Sequence, residues 1–219
     1  SIGKYVLGTV GAVDGDVANI KIEGISKVKS SLAFEDGALV LNIEGTRDPS
    51  DVEWSGVVSS NWDVANTENF ATHDPAHAAE SFIEGDNVYL TDDADNTTIT
   101  IADAVEVKPT ALYYTASKDY TINGAGKIAS GTFYNNGFGT ITMATENTYT
   151  GGNHLTSGTT KVSSLSNNTQ AYGNLGGVTT SSALFTIENG AVLQNTVAVT
   201  NGSAMKMVGN GVIKTDAAF

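Results

Sequence analysis

The chain contains no cysteine, only three prolines and only 16% charged residues in 219. Without cysteine, no disulfide can stabilise the fold. No run of about 18 apolar residues occurs, so we expect no membrane insertion by this segment. A basic and apolar leader is also missing at Ser1, and we expect a mature or excised segment of a longer protein.

Basic residues are missing from one long stretch. Residues 48–107 carry 14 Asp or Glu and no Lys or Arg, and the whole chain has a formal charge of −13. The negative electrostatic field of these residues repels phosphate backbones, so we expect no nucleic-acid partner. We expect cations or neutral polar surfaces such as cell-surface glycans as partners. Acidic surface residues also keep an extracellular protein soluble, and that alternative stays open.

Glycine, threonine, asparagine and serine are abundant instead, and they separate short apolar stretches. This composition favours many short strands joined by turns. Residues 1–47 predict an N-terminal β segment in which Asp14-Gly15-Asp16 and Glu35-Asp36-Gly37 form turns. Its predicted strands are Tyr5 to Val10, Ala18 to Ile22, Ser31 to Phe34 and Ala38 to Ile43.

Residues 48–85 predict an acidic, tryptophan-rich cap. Trp54, Trp62 and Phe70 can plug the open end of a stack of strands, because large aromatic side chains cover exposed edges well. Exposed tryptophan faces can alternatively pack on sugar rings. Trp54, Trp62 and His77 are therefore the candidate ligand-binding residues.

A short helix is predicted within the cap, with Asp74 as N-cap and Pro75 at the first helical position. His77 and Glu80 then share a face, with His73 just outside it, which resembles part of a zinc site. Pro75 prevents one continuous helix from carrying both histidines, so exposed polar residues on a loop helix are the preferred interpretation.

Residues 86–219 repeat short strands at intervals of about six to twelve residues, separated by Asn-Gly and Gly-rich corners. Asparagine and glycine tolerate the left-handed backbone of tight corners. This rhythm fits both a parallel β-helix and a β-sandwich. The strand signal at residues 211–215 predicts that the array continues beyond Phe219.

Asp92, Asp93 and Asp95 form the densest acidic cluster, and Asp103 follows nearby. These four carboxylates are candidate calcium ligands, and we expect no other cofactor. A hydrolytic pair of carboxylates is the alternative at this cluster, but no Lys or Arg that could assist it lies close by in sequence. The chain has no nucleophile elbow, phosphate loop or dinucleotide fingerprint, so we expect no catalytic residues.

One stretch resembles a known family. Residues 137–162 resemble the passenger-associated repeat of bacterial autotransporter proteins, with matches at Asn147, Thr148, Tyr149, Thr150, Gly151, Gly152, Gly158, Thr159 and Val162. Asn153 and Thr160 depart from the pattern, where the family prefers Thr and Leu. Trp54-Ser55-Gly56, Asn61-Trp62-Asp63 and Asn69-Phe70 look like the cap that opens such a repeat block.

The resemblance implies an all-β fold, a right-handed parallel β-helix with an N-terminal β segment and an aromatic-rich cap. It also implies a secreted or surface-displayed stalk or adhesin scaffold without catalytic activity, exported through an outer-membrane barrel that this segment lacks. The implied localisation is the Gram-negative type of cell surface. A carbohydrate-binding or polysaccharide-active module of a larger extracellular enzyme is the alternative.

Overall fold

The computed structural model describes residues 2–9, 17, 20 and 28–216. The predicted Asp14-Gly15-Asp16 turn and the strand predicted from Ala18 to Ile22 lie outside these residues, apart from Ile20, which forms a bend. The described part of the chain has no helix that is long and apolar enough to cross a membrane.

The described residues form twenty-two short strands. They are β1 (Gly3–Thr9), β2 (Val28–Glu35), β3 (Ala38–Thr46), β4 (Asp51–Trp54), β5 (Phe70–Thr72), β6 (Ala79–Glu80), β7 (Asn87–Leu90), β8 (Thr98–Thr100), β9 (Glu106–Val107), β10 (Ala111–Tyr114), β11 (Tyr120–Asn123), β12 (Lys127–Ile128), β13 (Thr132–Asn135), β14 (Thr140–Met143), β15 (Asn153–Leu155), β16 (Thr159–Val162), β17 (Tyr172–Gly173), β18 (Gly176–Gly177), β19 (Phe185–Ile187), β20 (Val192–Asn195), β21 (Lys206–Met207) and β22 (Val212–Thr215).

The first three strands form a separate antiparallel sheet in the order β1-β3-β2. Asp36 and Gly37 join β2 to β3 with positive φ angles of 49° and 74°, as a tight hairpin turn requires. The predicted turn at Glu35-Asp36-Gly37 and the two strands beside it are therefore confirmed.

Most of the remaining strands form a parallel β-helix of about six coils. One sheet stacks β4, β7, β10, β13, β15, β19 and β21, and a second stacks β8, β11, β14, β16, β20 and β22. Every pairing along these two stacks is parallel. The predicted all-β parallel helix is confirmed, and the β-sandwich alternative is wrong for this region.

The core consists of columns of apolar side chains that run along the stack. Ile99, Ile122 and Met143 occupy matching positions in three successive coils, and all three are fully buried. Their neighbours along each strand point to solvent, because successive strand residues face opposite sides. Parallel pairing thus turns a repeated pattern in sequence into a continuous core.

The repeat corner that begins at Asn147 is structural. Asn147 Oδ1 accepts the backbone N–H of Ile128 at 2.8 Å, and Nδ2 donates to the carbonyl of Asn174 at 2.7 Å. The buried Tyr149 hydroxyl donates to Asn153 Oδ1 at 2.7 Å. The two Asn147 bonds satisfy backbone groups that leave the ladder at the corner, and the Tyr149 bond joins two side chains within it, so the motif supports the fold.

One coil carries a long excursion. The paired positions Phe133 and Asn153 are 20 residues apart, as are Thr186 and Lys206, but Asn153 and Phe185 are 32 apart. The extra residues lie between β16 and β19 and include the two-stranded hairpin β17-β18. The stack nevertheless keeps its parallel pairing on both sides of the excursion.

The short helix predicted from Asp74 is absent. Residues 74–77 instead make a single turn, closed by a 3.2 Å bond from His77 N–H to the Asp74 carbonyl, and β6 follows at once. The Asp74 carboxylate accepts the Ala76 N–H, and the Thr72 hydroxyl accepts the Ala78 N–H. These side-chain oxygens accept hydrogen bonds from backbone N–H groups that would donate to carbonyls within a helix. The positive φ angle of His77, 43°, is also incompatible with a continuing helix.

We predict that Gly152→Ala destabilises the protein far more than Gly190→Ala. Both glycines have positive φ angles, 105° and 81°. A Cβ at Gly152 would lie 2.2 Å from the Leu184 carbonyl oxygen, whereas a Cβ at Gly190 meets no atom within 4 Å. Backbone strain alone costs about 1–2 kcal/mol, and the clash should bring the Gly152 loss to about 3–5 kcal/mol.

Urea denaturation of both variants measures this difference. Equal losses in the free energy of unfolding would contradict the prediction. They would mean that the backbone at Leu184 can move away from the new Cβ without an energetic cost.

Candidate functional site

The aromatic residues of the cap form one buried cluster. The ring centroids of Trp54 and Phe70 lie 5.1 Å apart, and those of Trp62 and Phe82 lie 5.4 Å apart, both pairs edge to face. Trp54 is 0% exposed and Trp62 is 1% exposed. Both rings are buried as the predicted plug requires, and neither has the free face that the alternative, packing on a sugar, needs.

Hydrogen bonds fix the cap around these rings. Trp54 Nε1 donates to the Asn96 carbonyl at 2.6 Å, which ties β4 to the turn before β8. The buried Asn69 side chain accepts two backbone N–H groups, from Val58 and Ser59, and donates to the Asn61 carbonyl. The cap is therefore a plug that covers the first coil.

Residues 70–80, comprising β5, the turn and β6, are called the strap. The strap pairs antiparallel with β4 along the edge that β7 leaves free. An unpaired edge strand invites pairing with other chains. The strap removes that edge and ends the sheet in the two-residue strand β6.

Beneath the strap, two histidines meet one buried carboxylate. Glu53 on β4 is only 4% exposed. Its Oε2 lies 2.9 Å from His73 Nδ1, and its Oε1 contacts His77 Nδ1 at short range. The hydrogen bond to Glu53, followed by the carboxylate charge, raises the pKa of His77 above its ordinary value.

A cleft of about 400 Å³ opens beside this contact. The strap forms one wall and contributes His77, and Glu53 and Ser55 also line the cleft. Asp93 and Asp95, from the turn between β7 and β8, add two carboxylates to the lining. The apolar lining residues are Val57, Phe70, Ala71 and Ala79. The structure thus brings His77 together with two of the four predicted calcium ligands.

The other two predicted calcium ligands lie apart from the cleft lining. Asp92 accepts the N–H groups of Ser117 and Lys118 at 2.9 and 2.8 Å and the Ser117 hydroxyl at 2.7 Å. Asp103 lies after β8, at a different corner, and accepts the N–H of Ala104. Within the described ranges, no three His, Asp or Glu side chains are grouped so as to hold a metal ion.

An external aromatic ladder runs along the first sheet, and the sequence interpretation missed it. The rings of His73, Tyr89, Tyr113, Tyr134 and His154 stack in that order, with centroid distances of 4.1, 4.8, 4.8 and 5.0 Å. Interplanar angles between 11° and 17° make the stacking nearly parallel. Each ring therefore covers the face of the next, and the ladder presents ring edges to solvent.

A signal for this ladder exists in the sequence. Tyrosine is the second residue of Val88-Tyr89-Leu90, Leu112-Tyr113-Tyr114 and Phe133-Tyr134-Asn135. Aligning these strands as successive coils places the three tyrosines in one outward column, as the observed register does. The contribution of His73 has no such signal, because it comes from the antiparallel strap.

Arg47 fastens the far end of the strap. Its guanidinium forms a two-pronged contact with Asp86 at 2.7 and 2.6 Å and also contacts Glu80 at 3.1 Å. It donates as well to the Ser81 carbonyl at 2.9 Å. Asp86 is fully buried, so this paired geometry compensates a charge that would otherwise be costly.

No family model matches this chain, and no curated protein or solved structure matches it. The resemblance to autotransporter passenger repeats therefore depends on the sequence patterns of the cap and of residues 137–162.

The cleft combines carboxylates and an oriented imidazole, and none of its described lining residues is an activated nucleophile. The Ser55 hydroxyl, the one hydroxyl among those described lining residues, donates to the Asn69 carbonyl. Glu53 holds His77 through Nδ1, which turns the other ring nitrogen away from the carboxylate. The arrangement suits hydrogen bonding and proton uptake more than covalent chemistry.

We predict that Asp92→Ala lowers the melting temperature at pH 7 more than Asp103→Ala does. Asp92 receives three hydrogen bonds from the next coil, and the Ser117 hydroxyl is the main cause that holds its pKa below the ordinary range. A lowered carboxyl pKa stabilises the fold above that range, and the stabilisation is lost as pH falls through the folded-state pKa.

Thermal melts across pH test this prediction. The gap between wild type and Asp92→Ala should close at about pH 2, where carboxyl groups are protonated. A gap that persists unchanged in acid would show that the Asp92 bonds do not depend on its charge.

Proposed function

We propose that this chain is a rigid, non-catalytic stalk segment of a secreted or surface-displayed protein of the autotransporter passenger type. The observation that carries the proposal is the continuous stack of parallel coils. Six coils share two uninterrupted sheets, and the backbone of each inner coil is bonded to the coils on both sides. Repeats that bury one continuous core in this way behave as a quasi-one-dimensional rod.

The aromatic ladder adds a second connection along the same axis. Its rings link the strap to four successive coils from the outside, whereas the apolar columns link the coils from the inside. Shear between coils would break both sets of contacts at once. A stalk that spaces a recognition element from a cell surface needs that resistance.

The glycan-binding alternative is supported by the cleft. Asp93, Asp95 and His77 offer hydrogen-bonding groups beside an apolar wall, which is the lining that small polar ligands need. The burial of Trp54 and Trp62 removes the aromatic platforms on which this alternative was based. A stalk therefore explains more of the molecule than a glycan-binding module does.

An export experiment tests the cellular part of the proposal. The chain is placed between an export signal and an outer-membrane autotransporter barrel, and its exposure on intact cells is measured by added protease. We expect the chain to reach the surface and to resist proteolysis there because it is folded. Detection of the inserted barrel by its own tag is the control.

Retention of the chain inside the cell while the barrel inserts normally would contradict the export proposal. Surface exposure with rapid digestion would contradict the rigid folded stalk.

We predict that Tyr113→Ala weakens the stack, because the ring of Tyr113 stacks on Tyr89 and on Tyr134 at 4.8 Å each. Losing two aromatic contacts should lower the free energy of unfolding by about 1–3 kcal/mol. The force needed to unfold the chain in single-molecule pulling should fall as well.

Tyr172→Ala is the matched control. Tyr172 lies in the hairpin β17-β18, is 41% exposed and lies off the ladder. Similar losses for the two variants would show that the ladder contributes nothing special to the resistance of the stack.

A further inference from the structure

The two ends of the strap are held by different chemistry. At the β6 end, the guanidinium of Arg47 contacts Glu80 on the strap and Asp86 beyond it. An arginine keeps its charge at every physiological pH. This end of the strap therefore stays fastened whether the surroundings are acidic or alkaline.

At the turn, the fastening depends on imidazoles. His73 and His77 each contact one oxygen of Glu53, and they are the only two strap side chains bonded to that carboxylate among the described residues. Histidine changes charge between about pH 5 and 8. Protonated imidazoles form ion pairs with a buried carboxylate, and neutral ones form weaker hydrogen bonds.

The groups around the turn reinforce this dependence. Asp93 faces His77 from the turn between β7 and β8, and Asp74 faces it from the strap itself. Asp95 lines the same cleft, and Tyr89 on β7 stacks under His73. The described residues that line the cleft include no Lys or Arg, so a protonated His77 supplies the positive charge there.

We propose that the strap is a pH-operated latch. Protonated His77 holds its turn closed on Glu53, and loss of that proton loosens the turn while Arg47 keeps the β6 end in place. Because the strap forms one wall of the cleft, loosening widens the cleft and uncovers Glu53 and the ring face of Tyr89. This inference does not depend on the proposed stalk function.

The direction follows from the pKa of His77, which the bond to Glu53 raises and which the charges of Asp93 and Asp74 raise further. A raised imidazole pKa stabilises the closed state fully below the ordinary value of about 6.5. That stabilisation is lost as pH rises through the pKa of the closed state. The latch is therefore tight in mildly acidic surroundings and loose in alkaline ones.

Amide hydrogen exchange of the intact chain tests the latch between pH 6 and pH 9. We expect the protection factors of the Ala76 and Ala78 amides, which bond within the turn, to fall several-fold over this range. The change is limited to about tenfold per pH unit for each proton released. The amide of Tyr113, in the middle of the stack, should keep its protection factor.

Variants separate the latch from general stability. His77→Gln keeps a hydrogen-bond donor but cannot titrate, so the pH dependence of strap protection should shrink by at least half. His154→Gln, at the far end of the ladder, should leave the dependence intact. The proposal is wrong if strap protection follows that of Tyr113 at every pH, or if His77→Gln leaves the dependence unchanged.

A titration of the unmutated protein provides an independent check. Imidazole chemical shifts measured by NMR should give a pKa for His77 above that of a free histidine. A value at or below that of free histidine would overturn the latch even if every variant failed to fold.

Discussion

Everything in the solenoid depends on one constraint, the parallel in-register pairing of each coil with the next. Parallel strands place equivalent residues directly above one another, so a side chain that faces inward in one coil faces inward in all of them. Ile99, Ile122 and Met143 form a core column for this reason, and Tyr89, Tyr113 and Tyr134 form a surface column. A shift of one residue in any of these strands would turn its inward-facing side chains outward.

The same constraint creates a problem at the end of the stack. β4 pairs with β7 on one side, and its other side would be an open edge. The strap closes it by running antiparallel, and this reversal brings His73 and His77 over Glu53. The buried carboxylate and its two imidazoles are thus a consequence of how the chain covers its own edge. The cap aromatics Trp54 and Trp62 close the core behind it.

Local patterns predicted much of this fold, and long-range contacts account for the rest. The strands around Asn147 and the Glu35-Asp36-Gly37 turn were predictable, because turn residues and alternation act over a few positions. The helix predicted at Asp74 does not form. Asp74 does accept the Ala76 N–H, as a helix cap would, but the strap then pairs with β4. Pairing across the sheet outweighed a local preference.

The candidate site was harder to predict for the same reason. His73 and His77 contact Glu53 across 20 and 24 residues of sequence, and no local pattern links them. His77 was identified as a candidate from its residue type alone. For Trp54 and Trp62 the sequence allowed both a plug and a sugar-binding surface, and both rings are buried as a plug requires. Aromatic residues near a chain reversal do not reveal which side of the sheet they occupy.

The long excursion between β16 and β19 shows how freely this architecture can vary. Twelve more residues separate Asn153 from Phe185 than separate Phe133 from Asn153, yet the coils on either side remain parallel partners. The spacing between coils is set by backbone hydrogen bonds, and it does not depend on the length of chain that a corner contains. The solenoid can therefore acquire new surface loops at its corners while its stacked core stays unchanged. The surface that it presents and the stability of its core can thus evolve independently.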